Sequence, residues 1–389
     1  MIRLSRAASG IAQSEIRVMS VECERVRGVN LAQGVCDTEV PLPVSRGAEA
    51  AIEAGANQYT RLDGIPALRQ AIAKKMSSYN HLTADPDREI LVTCGATGGF
   101  SAACMAMLNA GDEVILFEPF YGYHTHTLTA MNVSPIFVRL AAPDWKFKPE
   151  DVERAITPKT RAIVINSPAN PSGKVFSRKE LEGIAELALR HDLLVITDEI
   201  YEYFLYDGHE HISPASLPGM AERTITISGF SKTFSITGWR IGYLISPPQW
   251  RPAIGYFHDL AYVCAPSPFQ HGVTAGLNEI APSFYQDLGR EYLHKRDMIC
   301  EALTKAGLIP SIPQGAYYVL ADSSSLPGKN SKEKAMHLLN ETGVASVPGA
   351  AFYHDNGGEN LLRFCFAKTD ADLENACGRL QKLRSPAAV

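Results

Sequence analysis

Short apolar runs alternate with longer amphipathic stretches through the first 285 residues of the chain. The runs are rich in β-branched residues, and several are apolar throughout, which is typical of strands buried on both faces of a sheet. Seven strands are predicted, at residues 89–93, 113–117, 135–139, 162–166, 193–197, 224–228 and 241–245. The helices predicted between them include residues 98–109, 149–155, 178–190 and 266–286. This alternation predicts an α/β fold with a mostly parallel seven-stranded sheet sandwiched by helices.

The pattern changes after about residue 285. A long charged helix is predicted at residues 288–306, followed by short strands near 317–321, 345–347 and 361–366 and a final helix at about 370–383. This mixture predicts a smaller α+β domain. We therefore expect an N-terminal arm (1–43) that contributes to the small domain, a large domain (44–285) and a small C-terminal domain (286–389).

Composition and charge exclude several classes of protein. The chain has 37 basic and 42 acidic side chains, a formal net charge of -5, which argues against a nucleic-acid-binding protein. Its eight cysteines form no C-x-x-C pair, so no metal site is expected and reduced thiols in a cytoplasmic protein are favoured. The first 20 residues lack the apolar core of a signal peptide, and no apolar run approaches the roughly 18 residues of a membrane span, so no membrane association is expected.

The candidate chemistry begins with a lysine that directly follows a predicted buried strand. The segment 228–242 reads SGFSKTFSITGWRIG, with Lys232 after the strand and Arg240 eight residues later. Ligands of open α/β sheets bind at the carboxyl ends of the strands, where a lysine can be desolvated, lose its proton and form a Schiff base. Taken alone, the segment would favour an ordinary solvated loop lysine.

Three other predicted strands also end in polar or turn-forming groups. Asn170 follows the strand at 162–166, Asp198 and Tyr201 follow the strand at 193–197, and a small-residue turn containing Ala96 and Thr97 follows the strand at 89–93. Because the carboxyl ends of parallel strands share one edge, these groups are expected to converge with the lysine.

This constellation resembles the class I and II aminotransferases, fold-type-I enzymes that use pyridoxal 5'-phosphate (PLP). The resemblance covers nearly the whole chain, and its blocks Asn170-Pro, Asp198-x-x-Tyr and Ser-Lys232 followed by Arg240 are jointly specific in that order. Further landmarks are NLAQG (30–34), NQYTRLDG (57–64), EPFY (118–121), VPGAAF (347–352) and LLRF (361–364).

The resemblance implies catalytic roles for Lys232, Asp198 and Tyr201 and a cofactor contact for Asn170. Lys232 would hold PLP as an internal aldimine and move a proton at the substrate Cα. Asp198 would face the pyridine nitrogen and keep it protonated, although an aspartate here could instead be a helix N-cap. Asn170 and Tyr201 would donate hydrogen bonds to the cofactor's phenolate oxygen; the alternatives are a turn for Asn170 and core packing for Tyr201.

The same resemblance implies further contacts to the cofactor. Ala96 and Thr97 would offer N–H groups to the phosphate at a helix start, and Arg240 would add positive charge. Ser231 would add a hydroxyl, with Ser228 as the other candidate. Tyr121 would stack on the ring.

Substrate and partner contacts are also implied by the resemblance. Arg363 would hold the substrate α-carboxylate, next to Asn170, and Gly34 would let the backbone approach that carboxylate closely. Tyr59 would reach the phosphate of the neighbouring subunit, which makes the expected assembly a homodimer with shared active sites. For Arg363 the alternative is a surface ion pair, for Gly34 a simple turn, and for Tyr59 a loop aromatic in the core.

The expected function is PLP-dependent transfer of an amino group from an L-amino acid to a 2-oxo acid by ping-pong chemistry. A carbon–sulfur β-lyase on the same fold is the alternative. A PLP-binding regulatory domain is disfavoured, because only about 30 residues precede the NLAQG motif, too few for a DNA-binding module.

Substrate preference depends on the charge and aromatic content of the pocket. No Lys or Arg lies between Arg88 and Arg139, which disfavours strict aspartate specificity, although Arg61 or a partner residue could supply the cation. Aromatic, kynurenine-like or other apolar amino donors are therefore expected. The residues predicted to form an apolar pocket are Ile11, Tyr59, Tyr121, Tyr123, Tyr262, Tyr317 and Phe352.

Overall fold

The computed structural model describes residue 5, residue 8 and residues 13–383. Within these residues the chain forms helices α1 (Glu15–Arg25), α2 (Leu42–Glu53), α3 (Pro66–Tyr79), α4 (Gly95–Met107), α5 (Gly122–Ala130), α6 (Pro149–Ala155), α7 (Arg178–Arg190), α8 (Arg251–Tyr262), α9 (Ser267–Glu279), α10 (Pro282–Lys305), α11 (Ser331–Thr342) and α12 (Asp370–Leu380). The strands are β1 (Val29–Asn30), β2 (Ile90–Cys94), β3 (Glu113–Glu118), β4 (Ser134–Arg139), β5 (Thr160–Asn166), β6 (Leu194–Asp198), β7 (Thr224–Gly229), β8 (Ile241–Ile245), β9 (Ile309–Ser311), β10 (Tyr318–Asp322), β11 (Val344–Ala345), β12 (Val347–Pro348) and β13 (Leu361–Cys365).

The largest sheet has seven strands in the order β2-β8-β7-β6-β5-β3-β4. All seven predicted strands are present, which confirms the α/β fold with a mostly parallel sheet. Its central strands β5, β6 and β7 are almost entirely buried, because their apolar runs are covered by helices on both faces. Only β8 runs against its neighbours, pairing antiparallel with both β2 and β7.

This topology brings several strand ends to one edge of the sheet. Asn166 and Asp198 are paired at the ends of β5 and β6, and β7 ends beside them at Gly229. Because β8 is antiparallel to both its neighbours, β2 points the same way as β7, and Cys94 at its end lies opposite the start of β8. The predicted convergence of strand ends is therefore present.

A second group of strands comes mostly from the C-terminal part of the chain. The antiparallel sheet has the order β12-β13-β10-β9, and β1 from the N-terminal segment pairs in parallel with β11. The predicted division at residues 43 and 285 remains a prediction.

One predicted helix is wrong in its extent. The stretch 266–286 is not one helix, because α9 ends at Glu279 and α10 begins at Pro282. Proline lacks an N–H and disfavours helical geometry in the residue before it, and Ala281 is accordingly extended (φ -66°, ψ 148°). The helix predicted at 288–306 is the later part of α10. Among the described residues, no helix combines the length and the apolar character that crossing a bilayer requires.

Candidate active site

Two adjoining cavities open at the carboxyl edge of the large sheet. The first has a volume of about 510 Å³, and its lining includes Ala96, Thr97, Tyr121, Asn170, Asp198, Tyr201, Ser231, Lys232 and Arg240. The second, of about 400 Å³, shares Asn170, Tyr201 and Lys232 with the first and adds Gly34 and Arg363. Of the residues that the resemblance assigns to the cofactor or the substrate, the two cavities bring together all except Tyr59 and the alternative serine, Ser228.

Lys232 lies between the two cavities, three residues after β7. Its Nζ donates a hydrogen bond to the backbone oxygen of Gly34 (3.1 Å) and lies 5.8 Å from the ring centre of Tyr317. Burial lowers the pKa of Lys232, because a charged ammonium is poorly solvated there. The amine is therefore easier to deprotonate than a surface lysine, as nucleophilic and acid–base chemistry requires.

Asp198 ends β6 and is almost fully buried. Its Oδ2 lies 3.1 Å from His124 Nε2, and its Oδ1 accepts the N–H of Ile200 (3.3 Å). The His124 ring packs against Phe100 and Tyr121, with centroid separations of 4.4 and 5.2 Å. His124 thus fixes the carboxylate. This role is not predictable from the sequence, because a histidine within α5 has no distinguishing local motif.

Arg363 is completely buried on β13, yet it forms no ion pair with any described carboxylate. Its Nη1 donates to Asn170 Oδ1 (2.9 Å), its Nη2 donates to the backbone oxygen of Ala32 (2.5 Å), and its Nε has no hydrogen-bond partner. The guanidinium also lies over Tyr318, at 4.5 Å from the ring centre. A buried cation with an unused donor is expensive unless an anion binds it, so this is a candidate carboxylate site.

Tyr201 and Tyr318 form a pair of buried hydroxyls beside this arginine. Their oxygens are 3.0 Å apart. Burial raises the pKa of Tyr201 well above its usual value, so its hydroxyl stays protonated and can donate a hydrogen bond. A Cβ at Gly34 would collide with the Tyr318 hydroxyl, which explains why the backbone at this point needs glycine.

The N-terminus of α4 is a candidate anion site in the first cavity. The helix begins at Gly95 directly after β2, and Cys94 at its N-cap provides no side-chain hydrogen bond. Arg240 packs beside Gly95 and forms no ion pair with a described carboxylate. Free N–H groups at a helix start, together with an uncompensated guanidinium, are suited to a phosphate.

The two candidate serines have different environments. Ser231 lines the first cavity. Ser228 does not, because its hydroxyl points into a buried network and donates to the backbone oxygen of Glu199 (3.3 Å) and to Glu202 Oε1 (3.1 Å). Of the two, only Ser231 can contact a ligand in the cavity.

The aromatic pocket is smaller than the sequence predicts. Tyr121 and Tyr123 line the cavities and stack with their ring centres 5.3 Å apart. Tyr317 and Phe352 are buried behind the cavity walls, under Lys232 and Arg363. Tyr59 and Tyr262 are exposed and line neither cavity. Ile11 lies outside the described residues.

The donor set fits PLP. A phosphate is matched by the α4 N-terminus and Arg240, a pyridinium nitrogen by the buried carboxylate of Asp198, and a phenolate oxygen by the donors of Asn170 and Tyr201. An aldehyde carbon is matched by the partly buried amine of Lys232. These groups all line one cavity of about 510 Å³.

Comparisons with known proteins agree with this geometry. The family model "Aminotransferase class I and II" matches residues 26–380. The chain is 37% identical to a kynurenine–oxoglutarate transaminase of Dictyostelium discoideum, over 92% of each chain, and 33% identical to aromatic-amino-acid aminotransferase 2 of Thermococcus litoralis, over 98% of each. The solved structure of N-succinyldiaminopimelate aminotransferase from Mycobacterium tuberculosis superposes with a TM-score of 0.95 at 34% identity, covering 98% of this chain and 100% of that one. Over nearly its full length, this chain therefore belongs to the class I and II aminotransferases, whose family chemistry implies PLP as the cofactor.

Proposed function

We propose that the enzyme uses Lys232 as its acid–base group and transfers an amino group from aromatic, kynurenine-like or other apolar L-amino acids to a 2-oxo acid. The observation that carries this proposal is the proximity of two unusual cations in adjoining cavities. Lys232 is an amine with a lowered pKa, and Arg363 is a buried guanidinium that no described carboxylate neutralises. An amino acid that binds Arg363 through its carboxylate has its Cα in reach of the cavity that contains Lys232.

The residues proposed to hold PLP are those whose chemistry matches its parts. Asp198 would pair with the ring nitrogen, Asn170 and Tyr201 would donate to the phenolate oxygen, and Tyr121 would cover the ring face. Ala96, Thr97, Ser231 and Arg240 would bind the phosphate. When bound, PLP supplies an electron-withdrawing ring that stabilises negative charge at the substrate Cα.

The chain's own residues would move the proton and orient the reactants. Lys232, oriented by the Gly34 carbonyl, would accept the proton from the substrate Cα and then donate it to the former aldehyde carbon of PLP. His124 would keep Asp198 in position. Because Arg363 would retain the α-carboxylate through two N–H donors, the bond that breaks at Cα is the bond to hydrogen, as transamination requires.

The preference for apolar donors rests on the cavity wall and on the relatives. Tyr121, Tyr123 and Phe100 form an aromatic surface in the first cavity. Two of the relatives named above act, by name, on kynurenine or aromatic amino acids. The Mycobacterium tuberculosis structure is named for N-succinyldiaminopimelate, and a relative from Pyrococcus abyssi that is 35% identical is named an aspartate aminotransferase.

We infer that the assembly is a homodimer in the cytoplasm. Tyr59 is 81% exposed and lies outside the cavities of its own chain, so it is available to a second copy. The large apolar side chains of Tyr256 and Leu260 on α8 are 62% and 82% exposed, as expected of an interface surface. All eight cysteines are free, as in a reducing compartment.

The proposal is tested by supplying phenylalanine, kynurenine, methionine and aspartate in turn with 2-oxoglutarate and measuring glutamate. We expect turnover with the first three. Lys232→Ala should lower turnover by at least about 100-fold, the lower end for removing a positioned acid–base group. The control Lys179→Ala, at an exposed position on α7, should behave as wild type.

Two results would contradict the proposal. One is near wild-type turnover in Lys232→Ala. The other is release of pyruvate from S-substituted cysteines without a 2-oxo acid and at a higher rate than any transamination, which would identify a β-lyase.

A further inference from the structure

One hydroxyl beside the proposed cofactor residues has no part in the chemistry described so far. Tyr318 begins β10 and lines the second cavity, and only 2% of its surface is exposed. Its oxygen lies 3.0 Å from the hydroxyl oxygen of Tyr201, and either group can be the donor in this hydrogen bond. Tyr201 lines both cavities and is the residue proposed to donate to the phenolate oxygen of PLP. Tyr318 therefore contacts a proposed donor to the cofactor.

The number of hydrogens decides which tyrosine donates to the other when a ligand is bound. A tyrosine hydroxyl has one hydrogen to donate, and its oxygen can also accept a hydrogen bond. If Tyr201 gives its hydrogen to a phenolate oxygen in the cavity, Tyr318 has to supply the hydrogen between the two tyrosines. The result is a chain of two bonds, from Tyr318 to Tyr201 and from Tyr201 to the ligand. Each bond in such a chain polarises and strengthens the next one.

The position of the Tyr318 hydroxyl is fixed by its surroundings. The backbone of Tyr318 pairs with Cys365 of β13, the Arg363 guanidinium lies 4.5 Å from its ring centre, and the Tyr201 ring packs edge-on at 5.7 Å. The backbone of Gly34 lies so close to the hydroxyl that a Cβ on that glycine would overlap the oxygen. Tyr318 can therefore present its hydroxyl to Tyr201 without first losing much conformational freedom.

We propose that Tyr318 is a positioning residue that donates to the Tyr201 oxygen and thereby directs and strengthens the hydrogen bond from Tyr201 to the phenolate oxygen of PLP. This inference rests on the proposed function, because it takes PLP as the ligand and Tyr201 as its donor. A hydrogen bond to a phenolate stabilises the form of the bound cofactor that has lost its proton. Tyr318 would therefore lower the pH at which the visible absorbance of the PLP-loaded enzyme changes.

Other ionisable groups near the two hydroxyls are common to the wild type and to variants that lose only a hydroxyl. The titratable and charged groups that face the pair from the neighbouring elements are Tyr121, Asp198, Lys232, Tyr317, Arg363 and Cys365. Burial raises the pKa of Tyr121, Tyr317 and Cys365, so these three groups stay neutral near neutral pH. A tyrosine-to-phenylalanine change leaves all six groups in place and removes no charge.

The test follows the visible absorbance of the PLP-loaded enzyme as a function of pH. It compares the wild type with Tyr318→Phe, with Tyr201→Phe and with the double variant. In Tyr318→Phe the midpoint of the absorbance change should rise by roughly 0.1 to 0.7 pH units, because the second hydrogen bond strengthens the first by about 10–30%. In Tyr201→Phe, which loses the direct donor, the midpoint should rise by roughly 1 to 2 pH units. The double variant should match Tyr201→Phe, because Tyr318 acts only through Tyr201.

Tyr206→Phe is a matched control for the loss of one buried hydroxyl. Tyr206 is also 2% exposed, and its hydroxyl donates to the backbone oxygen of Ala316. Tyr206 lines neither of the two cavities. This variant should therefore keep the wild-type midpoint.

The outcomes separate this inference from the proposed function. A wild-type midpoint in Tyr318→Phe, with a raised midpoint in Tyr201→Phe, overturns the inference and leaves the proposed function intact. Shifts that add in the double variant also overturn it, because Tyr318 would then act on the cofactor by another route. An unchanged midpoint in Tyr201→Phe contradicts both the inference and the assignment of Tyr201. Lack of transamination with every amino acid, together with the expected midpoints, contradicts the proposed function and supports the inference.

Discussion

At the scale of single residues, the surroundings of Arg363 indicate a binding site for an anionic ligand. Its neighbours satisfy two of its nitrogens and leave Nε free, and its charge has no partner among the described carboxylates. A planar guanidinium can bind a carboxylate through two parallel bonds, whereas an ammonium group acts as a point charge. The identity of the cation at this position, and not only its charge, should therefore matter for the substrate.

We expect Arg363→Lys to lower kcat/KM for phenylalanine by about 10- to 100-fold, the range for losing a charge-assisted hydrogen bond. The affinity for 3-phenylpropionate, a carboxylate without an amino group, should fall in parallel. Arg296→Lys is a matched control, because Arg296 is also buried but pairs with Asp207 and Asp297 away from the cavities. An Arg363→Lys enzyme with wild-type affinity for 3-phenylpropionate would contradict the carboxylate site.

His258 gives a prediction about pH and stability. It is completely buried, its Nε2 accepts the N–H of Cys94 (2.9 Å), and burial lowers its pKa to about 4. Between pH 6.5 and 4 the unfolded chain binds a proton here that the folded chain does not. The stability from neutral His258 is therefore complete above pH 6.5 and is lost as the pH falls towards 4.

The expected loss from this histidine is about 2 kcal/mol between pH 7.5 and 5. His258→Gln keeps an acceptor for Cys94 but does not titrate. Between pH 7.5 and 5 its free energy of unfolding, measured with urea, should therefore fall by about 2 kcal/mol less than that of the wild type. His294→Gln, at an exposed position of α10, should follow the wild type. An equal pH dependence in all three proteins would show that His258 is not the group responsible.

At the scale of elements, the turn from β2 into α4 forms the proposed phosphate site. Gly95 has φ +69°, in the left-handed region, and a Cβ there would meet the Arg240 guanidinium. Gly95→Ala should therefore displace Arg240 as well as strain the backbone. We expect PLP affinity, measured by titration of the cofactor-free protein, to fall by about 10-fold or more, the loss of one charge-assisted contact.

Gly111→Ala is the matched control for this turn. Gly111 also has a positive φ (+95°), but a Cβ there would meet no atom within 4 Å. The Gly111→Ala variant should therefore lose about as much stability as the Gly95→Ala variant and keep the wild-type PLP affinity. If both variants lost the same affinity, backbone strain alone would account for the effect.

The sequence predicts those elements whose signals lie in consecutive residues of the chain. The seven strands follow from apolar runs, and the convergence of Asn170, Asp198 and Lys232 follows from the strand ends that precede them. The missing features depend on tertiary contacts. The role of His124 follows only from its distance to Asp198, which joins α5 to the end of β6. The break at residues 280 and 281 had a local signal in Pro282, which the apolar pattern masked.

At the scale of the whole molecule, the site is assembled from both groups of strands. Arg363 on β13 reaches Asn170 after β5, and His354, between β12 and β13, reaches Glu118 at the end of β3, with His354 Nδ1 2.8 Å from the carboxylate. Neither sheet could form the cavity alone. The same reasoning extends to a second copy of the chain, since Tyr59 is a predicted phosphate contact that is exposed and lies outside the cavities of its own chain.

Mixed dimers test whether Tyr59 acts between subunits. A dimer that combines a Lys232→Ala subunit with a Tyr59→Ala subunit keeps one Lys232, on the Tyr59→Ala subunit. If the site is shared, the tyrosine beside that lysine comes from the Lys232→Ala subunit and is intact, so PLP should bind there with wild-type affinity. The Tyr59→Ala homodimer should bind PLP about 10-fold more weakly, through loss of a hydrogen bond to a charged group. Differently tagged subunits allow the mixed dimer to be isolated, and the visible absorbance of the bound cofactor reports affinity. If Tyr59 acted within its own chain, the mixed dimer would bind as weakly as the Tyr59→Ala homodimer; a particle mass near 42.4 kDa for the wild type would contradict the assembly itself.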